Sequence, residues 1–290
     1  MRIRERVKSN MPDKVFIYLQ YYQSQKRLLH LRNPQTYSEK LQWIKIYGNL
    51  KSYSTYADKY AVRAFIKKNI GEKYLIPMIG HWDTFEEIPF DELPNQFVLK
   101  ATHGSGYNYV CTDKAKLDKK ALKVEVARWN SENFYTFQRE VQYKHLTPHL
   151  IAEHYLEDDS GELRDYKFTC SHGDIDFIEV HSNRNSGHSV QLMDQDWNQL
   201  PFKTIAGEPN AYLPKPDNYD EVLSVVTKLA ESFPFVRVDL YLVNGKIYFG
   251  ELTFTPGDGT FPFVGKSDLA MGKLIDLSGF KRWRAKAAQS

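Results

Sequence analysis

One stretch of this 290-residue chain, residues 237–259 (RVDLYLVNGKIYFGELTFTPGDG), constrains its fold more than any other. Two runs of β-branched and aromatic residues flank an Asn-Gly pair, a pattern that predicts a β-hairpin. Alternation along a strand places Arg237 and Asp239 on one face of the first strand. Glu251 and Thr253 share a face of the second strand for the same reason. The hairpin therefore either gathers these four polar side chains or separates them.

The register of the hairpin decides between the two outcomes. With a plain two-residue turn at Asn244-Gly245, Glu251 falls opposite Val238, and the two carboxylates lie on opposite faces of the sheet. With a three-residue loop and a bulge in the turn, or with a bulge at Gly250, the four polar side chains share one face. Such a face suits Mg²⁺ and bound phosphate, since oxygen ligands hold Mg²⁺ and a guanidinium clamps phosphate.

The surroundings of the hairpin favour a site. In the three-residue register, Tyr241, Ile247 and Phe249 join the face of the acids and make it too apolar for an ordinary solvated face. The Pro-Gly-Asp-Gly run after Thr253 brings backbone with little side chain beside the acids. A half-solvated hairpin whose acids face water is the alternative interpretation.

Composition narrows the class of protein. The chain is 42% hydrophobic and 14% aromatic, which predicts one large domain or two intimate ones. Its net charge of +3 argues against a polyanion binder, so we expect no nucleic-acid partner. Cys111 and Cys170 form neither a disulfide framework nor the spacing of a zinc site. No apolar run is long enough for a membrane span or a signal peptide, so we expect a cytoplasmic protein.

Periodicity along the chain predicts a helical N-terminal region followed by two mixed subdomains. The boundaries that we expect are residues 1–75 for the helical region, 76–150 for the first subdomain and 151–290 for the second. The predicted helices cover residues 15–31, 38–47, 56–70, 117–139 and 217–232.

A glycine-rich turn, His103-Gly104-Ser105-Gly106, joins two predicted strands of the first subdomain. It is therefore a hairpin flap and not the strand-to-helix loop of a Walker or Rossmann site. Such a flap can cover nucleotide phosphates with backbone N–H groups, and Lys100 at the end of the preceding strand can neutralise them. A simple turn is the alternative.

A second hairpin is predicted at residues 164–181, where Asp165 and Lys167 share a face of its first strand. Glu179 and His181 alternate with apolar residues on its second strand. Surface ion pairing is the simplest interpretation of these charges.

Taken in order, Lys100, the HGSG turn, LIAEHYL, RDYKF and RVD…GELTFTPGDG resemble the ATP-grasp superfamily. SEKLQWIKIY, DKYAVR, LPNQFVLK and the strands of the opening hairpin are more similar to the TupA-like ATP-grasp family of bacterial surface polysaccharide clusters. The resemblance covers residues 35–262. It implies an α/β (α+β) ATP-grasp fold, in which two α+β subdomains with largely antiparallel sheets grip a nucleotide behind a helical N-terminal region.

The resemblance also implies roles for matching residues. Arg237, Lys100 and Lys167 are the predicted catalytic residues, with the two lysines on the ATP phosphates and the arginine beside the transferred phosphoryl group. Residues 153–156 would read adenine by backbone, and Asp165 would reach the ribose. The predicted ATP-binding set is Lys100, His103, Gly104, Ser105, Gly106, Glu153, His154, Tyr155, Leu156, Asp165 and Lys167.

The remaining implied roles concern metal and acceptor. Asp239, Glu251 and Thr253 occupy the Mg²⁺ positions, although many relatives carry Asn in place of the threonine. The residues predicted to contact the acceptor substrate are His181, Arg184, Gly257 and Asp258. For Arg184 a surface loop arginine is the alternative.

ATP-grasp ligases transfer the γ-phosphoryl group of ATP to a carboxylate, and an amine then attacks the acyl phosphate. We therefore expect ATP and Mg²⁺ as cofactors and a ligase that amidates a uronic acid with an amino acid or amine in capsule or cell-surface polysaccharide synthesis. An ATP-grasp kinase that phosphorylates a hydroxyl is one alternative. A nucleotide-sugar glycosyltransferase is another, with Asp174 and Asp176 or Asp194 and Asp196 as its metal ligands.

The end of the chain carries a short basic segment with a tryptophan, residues 281–286 (KRWRAK). A solvated final helix is the simpler interpretation. Peripheral association with membrane-bound polysaccharide machinery is the functional one.

Overall fold

A computed structural model describes residues 11–158, 163–182, 187–202, 204, 207, 213–260, 263 and 266–280. Its α-helices are α1 (Asp13–Gln25), α2 (Tyr37–Tyr47), α3 (Ser54–Ala57), α4 (Val62–Asn69), α5 (Lys119–Ser131), α6 (Tyr135–Gln138), α7 (Tyr219–Ala230) and α8 (Ser267–Leu274). Its strands are β1 (Met78–Trp82), β2 (Phe97–Ala101), β3 (Asn108–Cys111), β4 (Leu150–His154), β5 (Asp165–Ser171), β6 (Asp174–Ser182), β7 (Ser189–Met193), β8 (Phe235–Val243) and β9 (Lys246–Thr253).

The chain divides into two compact units, one of residues 51–157 and one of residues 1–50 with 158–290. This division places α1 and α2 with the C-terminal half and α3 and α4 with residues 51–157, whereas the sequence predicted one helical region over residues 1–75. Helix α2 belongs to the unit of residues 1–50 and 158–290 because it packs against α8 and the turn at Pro256–Gly259.

The unit of residues 51–157 is built on an antiparallel sheet with the order β1-β4-β2-β3. One face of the sheet packs against α5 through a core of apolar side chains. These are Phe97, Leu99, Ala101, Leu150 and Ala152 of the strands and Leu122, Val126 and Trp129 of the helix. Alternation therefore leaves Lys100 and Glu153 on the opposite face.

The other unit is built on a five-stranded antiparallel sheet with the order β7-β6-β5-β8-β9. The amphipathic helix α7 packs on one face through Val222, Val225, Val226 and Leu229, all of which are buried. The opposite face carries the polar residues of β5, β6, β8 and β9. The prediction of a mixed α/β fold with two largely antiparallel sheets is confirmed.

Polar contacts cap α2 and hold it in this unit. Thr36 and Glu39 form a capping box at the start of the helix. At its other end, Gln42 and Lys45 donate to the carbonyl oxygen of Asp258, at 2.9 and 2.6 Å. The N-terminal helix thereby fixes the Pro256–Gly259 turn.

Three predicted helices are shorter than their periodicity suggests. The predicted helix 15–31 ends at Gln25, because Lys26 takes a left-handed conformation with φ 55°. The predicted helix 56–70 is interrupted where the carboxylate of Asp58 accepts from the N–H groups of Tyr60 and Ala61. The predicted helix 117–139 ends at Ser131, and α6 follows as a separate turn.

Within the described ranges, none of the helices combines the length and apolarity needed to cross a bilayer.

Candidate active site

The β8–β9 hairpin resolves the register question with a bulge at Gly250. Its turn contains two residues, Asn244 and Gly245, both with positive φ (49° and 76°), so Val243 pairs with Lys246. Pairing continues regularly to Leu240 and Phe249, and then shifts so that Asp239 faces Glu251. Gly250 is the extra residue. The three-residue loop is therefore wrong, and the bulge lies in the strand instead.

The bulge position fits a glycine for steric reasons. A Cβ at Gly250 would lie 3.1 Å from the carbonyl oxygen of Asp239 and 3.2 Å from the ring of Tyr241. Because the bulge comes after Phe249 and not in the turn, Ile247 and Phe249 lie on the face opposite the acids. Of the three apolar residues expected beside the acids, only Tyr241 lies on their face, together with its cross-strand partner Tyr248.

Arg237 organises the acid face of the hairpin. Its Nε donates to Asp239 Oδ1 at 2.6 Å, and its Nη2 donates to Asp239 Oδ2 at 2.7 Å. The same Nη2 lies 3.2 Å from Glu251 Oε1 and 3.1 Å from Thr253 Oγ1. The Thr253 hydroxyl in turn donates to Glu251 Oε1 at 3.0 Å. The four side chains therefore form one connected cluster, as the bulged register predicts.

Lys167 joins this cluster from β5, where it pairs with Asp239 across the sheet. Its Nζ donates to Asp239 Oδ2 and lies 3.7 Å from Asp165 Oδ2. All seven residues of β5 are buried. The interpretation of Asp165 and Lys167 as surface ion-pairing residues is therefore wrong, because β5 lies between β6 and β8 in the sheet.

The charge balance of this face is negative. Two cations, Lys167 and Arg237, are surrounded by four acids, Asp165, Glu179, Asp239 and Glu251. Burial alone lowers the pKa of Arg237, but the charges and hydrogen bonds of Asp239, with Glu251 and Glu179, outweigh it and raise the pKa above its usual value. The guanidinium is therefore permanently charged.

The acid face fits Mg²⁺. Asp239, Glu251 and Thr253 supply hard oxygen donors, and the excess of acids over cations leaves negative charge for a divalent ion to balance. The Glu251 side chain is 40% exposed, so it can be reached from solvent. Asp239 is 2% exposed and bonded to two cations, so its oxygens are positioned before any ion arrives.

Glu179 is a candidate that the residue assignments from sequence missed. It pairs with Lys167 on the side of β5 away from Asp239, and burial raises the pKa of its carboxyl group. It lines a small cavity together with the predicted acceptor residues His181 and Gly257. Alternation places Glu179 on one face of β6, and pairing of β6 with β5 brings it beside Lys167. Cross-strand pairing is therefore the sequence signal that could have identified Glu179.

The Pro256–Gly259 turn places its two predicted acceptor residues differently. Gly257 has φ 54° and lines the cavity. Asp258 is held by Gln20 Nε2 at 3.2 Å and by the Thr260 hydroxyl, and its carbonyl oxygen accepts from α2. Asp258 thus anchors the turn, and Gly257 is the residue that faces the cavity.

In the unit of residues 51–157, Lys100 is paired with an acid. Its Nζ donates to Glu153 Oε2 at 2.6 Å, and Arg63 donates to Glu153 Oε1 at 2.8 Å. Glu153 is buried in the central strand β4 and holds both cations. Its carboxylate therefore positions Lys100, a role that the prediction of backbone contacts did not include.

The residues predicted to read adenine lie at the end of β4. The N–H of His154 donates to the carbonyl oxygen of Pro77 at 3.0 Å, so this group is used within the sheet. Tyr155 and Leu156 follow the strand and are half-buried. Their roles, like that of Asp165 with ribose, stay predictions.

The glycine-rich turn is packed over its first half. His103 and Gly104 are buried, while Ser105 and Gly106 are exposed. Lys59 donates to the carbonyl oxygen of Gly104 and so tethers the turn. His103 Nε2 lies 2.9 Å from Trp129 O, and burial lowers the pKa of the imidazole. The exposed tip at residues 105–106 is therefore the part that can reach a ligand.

Two acids of the predicted glycosyltransferase pairs are held by local hydrogen bonds. Asp176 Oδ2 accepts from the Ser171 hydroxyl at 2.7 Å, and the carboxylate of Asp194 accepts from the backbone and side chain of Asn198. These acids serve local turns. Arg184 and the basic segment 281–286 lie outside the described residues.

No curated protein matches the chain. Among solved structures, the D-alanine–D-alanine ligase from Bacillus anthracis complexed with ATP aligns over 84% of this chain and 76% of its own, at 16% identity and a TM-score of 0.50. Another structure of that ligase aligns over 82% and 77%, at 17% identity and a TM-score of 0.47. The L-amino acid ligase from Bacillus licheniformis aligns over 77% and 49%, at 16% identity and a TM-score of 0.44.

The first of these likenesses shows the ATP-grasp fold. The family model described as TupA-like ATPgrasp matches residues 39–276, which include both sheets, the glycine-rich turn and the complete acid cluster. The chain therefore belongs to the TupA-like ATP-grasp family.

Proposed function

We propose that this protein is an ATP- and Mg²⁺-dependent carboxylate–amine ligase. The observation that carries the proposal is the cluster of Arg237, Asp239, Glu251 and Thr253, which the Gly250 bulge gathers on one face of the sheet. Family membership and the fold shared with an ATP-complexed D-alanine–D-alanine ligase support it.

The residues of the cluster have different proposed roles. Asp239 and Glu251, with the Thr253 hydroxyl, would hold Mg²⁺, which supplies charge neutralisation on the phosphates when bound. Arg237 is fixed by Asp239 through two hydrogen bonds, so its remaining N–H groups are oriented without further ordering. Lys167 donates to the same Asp239 carboxylate as Arg237 and would contact phosphate. In the other unit, Lys100 and the tip of the glycine-rich turn would do the same.

The proposed acceptor is the carboxylate of a uronic acid, and the proposed second substrate is an amino acid or amine. The polysaccharide context rests on the family to which the chain belongs. No nucleophilic side chain is required, because phosphoryl transfer makes the carboxylate reactive. The cluster accordingly consists of charged side chains and the Thr253 hydroxyl, with no serine or cysteine among its residues.

Hydroxylamine trapping tests the proposal. Purified protein is incubated with ATP, Mg²⁺, D-glucuronate and hydroxylamine, and ADP and the hydroxamate are measured. We expect ADP release that depends on glucuronate, with an equal amount of hydroxamate, because hydroxylamine captures an acyl phosphate. ADP accompanied by a phosphorylated sugar and no hydroxamate would indicate a hydroxyl acceptor, and sugar transfer from a nucleotide sugar without ATP would refute the ligase.

Glu251→Gln and Asp239→Asn test the metal ligands. Each removes one negative charge from the proposed Mg²⁺ site, so we expect turnover to fall at least about 100-fold. Glu231→Gln, an exposed acid outside the cluster, is the matched control. Circular dichroism and thermal melting check that the variants fold. Near-normal turnover in folded Glu251→Gln and Asp239→Asn proteins contradicts the metal assignment.

A further inference from the structure

The acid cluster borders a cavity of ≈ 120 Å³. Its charged and polar lining includes Glu179, His181, Arg237 and Thr204, and its apolar lining includes Val190 and Phe263. Since a water molecule takes up about 30 Å³ in the liquid, the cavity has room for an amino group with a small substituent.

Glu179 is the unusual group in this lining. Its side chain is only 14% exposed, and its carboxylate accepts no hydrogen bond from the part of the chain that the structure describes. The nearest ion-pairing atom is Nε2 of His181, at 4.0 Å. Its cross-strand neighbour Lys167 donates to Asp239 instead. The Glu179 carboxylate thus faces the cavity with no described protein donor on it, so it is available to bind a ligand cation there.

Arg237 supplies the opposite charge in the same cavity. Its Nε and Nη2 are used by Asp239, Glu251 and Thr253, while its Nη1 makes no hydrogen bond to the described residues. The cavity thus offers a carboxylate and a free guanidinium N–H group. These suit the two partners of an amide-forming reaction, an ammonium group on Glu179 and the activated carboxylate on Arg237.

We propose that Glu179 binds the ammonium group of a small primary amine, such as the amino group of an amino acid, inside this cavity. The inference rests on the proposed ligase function and goes beyond it by assigning the amine subsite. It also separates the ligase from a kinase, because a hydroxyl acceptor carries no positive charge for Glu179 to bind.

Glu179→Gln tests the assignment, since it preserves the size of the side chain and removes its charge. The reaction contains ATP, Mg²⁺ and D-glucuronate, with either an equimolar mixture of the twenty amino acids or hydroxylamine, which is uncharged at neutral pH. We expect amide formation with the amino acids to fall about 10- to 100-fold. Hydroxamate formation stays within about threefold of wild type, because the phosphoryl step does not use Glu179.

Two further variants sharpen the comparison. Glu179→Asp keeps the charge on a shorter side chain and should restore part of the amide formation. Glu231→Gln, an exposed acid outside the cavity and the acid cluster, should leave both products unchanged. Unchanged amide formation in Glu179→Gln overturns the inference, and so does an equal loss of hydroxamate. Absence of both products in the wild-type protein instead refutes the proposed function itself.

Discussion

Gly250 is the residue whose replacement most directly tests how the site is built. In Gly250→Ala, the new Cβ would lie 3.1 Å from the carbonyl oxygen of Asp239 and 3.2 Å from the Tyr241 ring. Those distances are shorter than ordinary van der Waals contact, so the backbone of Asp239 or the tyrosine has to move by a few tenths of an ångström.

The strained hairpin has two possible responses, and their free energies differ. Keeping the bulge costs about 1–3 kcal/mol of unfolding free energy, the destabilisation that overpacking usually causes. Removing the bulge by a one-residue slip puts Glu251 opposite Val238, which is fully buried, and turns Leu252 away from the core. Exposing a leucine costs about 1.5–3 kcal/mol, and burying an unpaired acid costs several kcal/mol more. The variant therefore keeps the bulge.

Urea unfolding measures the result without any assumption about activity. We expect Gly250→Ala to lose about 1–3 kcal/mol of unfolding free energy. A displacement of Asp239 by a few tenths of an ångström should also reduce turnover by about tenfold. Gly245→Ala is the control, since it strains the turn at φ 76° but has no atom within 4 Å of the new Cβ. It should lose stability and retain turnover.

Deletion of Gly250 gives the opposite prediction. Without the extra residue, the two-residue turn itself pairs Asp239 with Glu251 and Arg237 with Thr253, so the acids stay on one face. The deletion should therefore retain more turnover than Gly250→Ala. A deletion variant that loses the cluster's activity, together with a Gly250→Ala protein as stable as wild type, would refute the bulge argument.

Two further predictions concern other parts of the chain. Burial raises the pKa of Asp176 to about 7, above the value near 3.9 of an unfolded aspartate, so wild-type stability should fall between about pH 4 and pH 7 as the unfolded chain loses this proton first. Asp176→Asn should flatten that part of the stability curve in urea unfolding at pH 4.5 and pH 8, and an unchanged slope contradicts the assignment. Lys59→Met removes the hydrogen bond that tethers Gly104. Ordering the glycine-rich turn when ATP binds then costs conformational entropy, so the KM for ATP should rise about tenfold while kcat stays within about threefold. Lys116→Met, an exposed lysine in the same unit, is its control.

Much of the fold follows from local sequence patterns. Alternation in residues 237–253 gives two strands with known faces, and the Asn-Gly pair gives their turn. The periodicity of α7 and the strands of both sheets are likewise local properties. Helix ends are less local: the interruption at Asp58 depends on a side chain that competes for backbone N–H groups.

The candidate site depends on contacts between distant residues. Glu153 holds Lys100 because β4 pairs with β2, although about fifty residues separate them. Lys167 meets Asp239 because β5 lies beside β8, and the same sheet order buries charges that alternation alone would place at the surface. Strand neighbours are set by the packing of the whole sheet, so a local pattern does not reveal them.

The sequence by itself determined that Arg237, Asp239, Glu251 and Thr253 could act together, and that a bulge was required for it. Only the tertiary structure decided that the bulge lies at Gly250. The two-residue turn is fixed by Asn244 and Gly245, and the core admits Leu252 and Phe249 but not Glu251, so the extra residue has to be absorbed between them. Glycine suits that position because a Cβ there would crowd the carbonyl oxygen of Asp239 and the Tyr241 ring, at 3.1 and 3.2 Å.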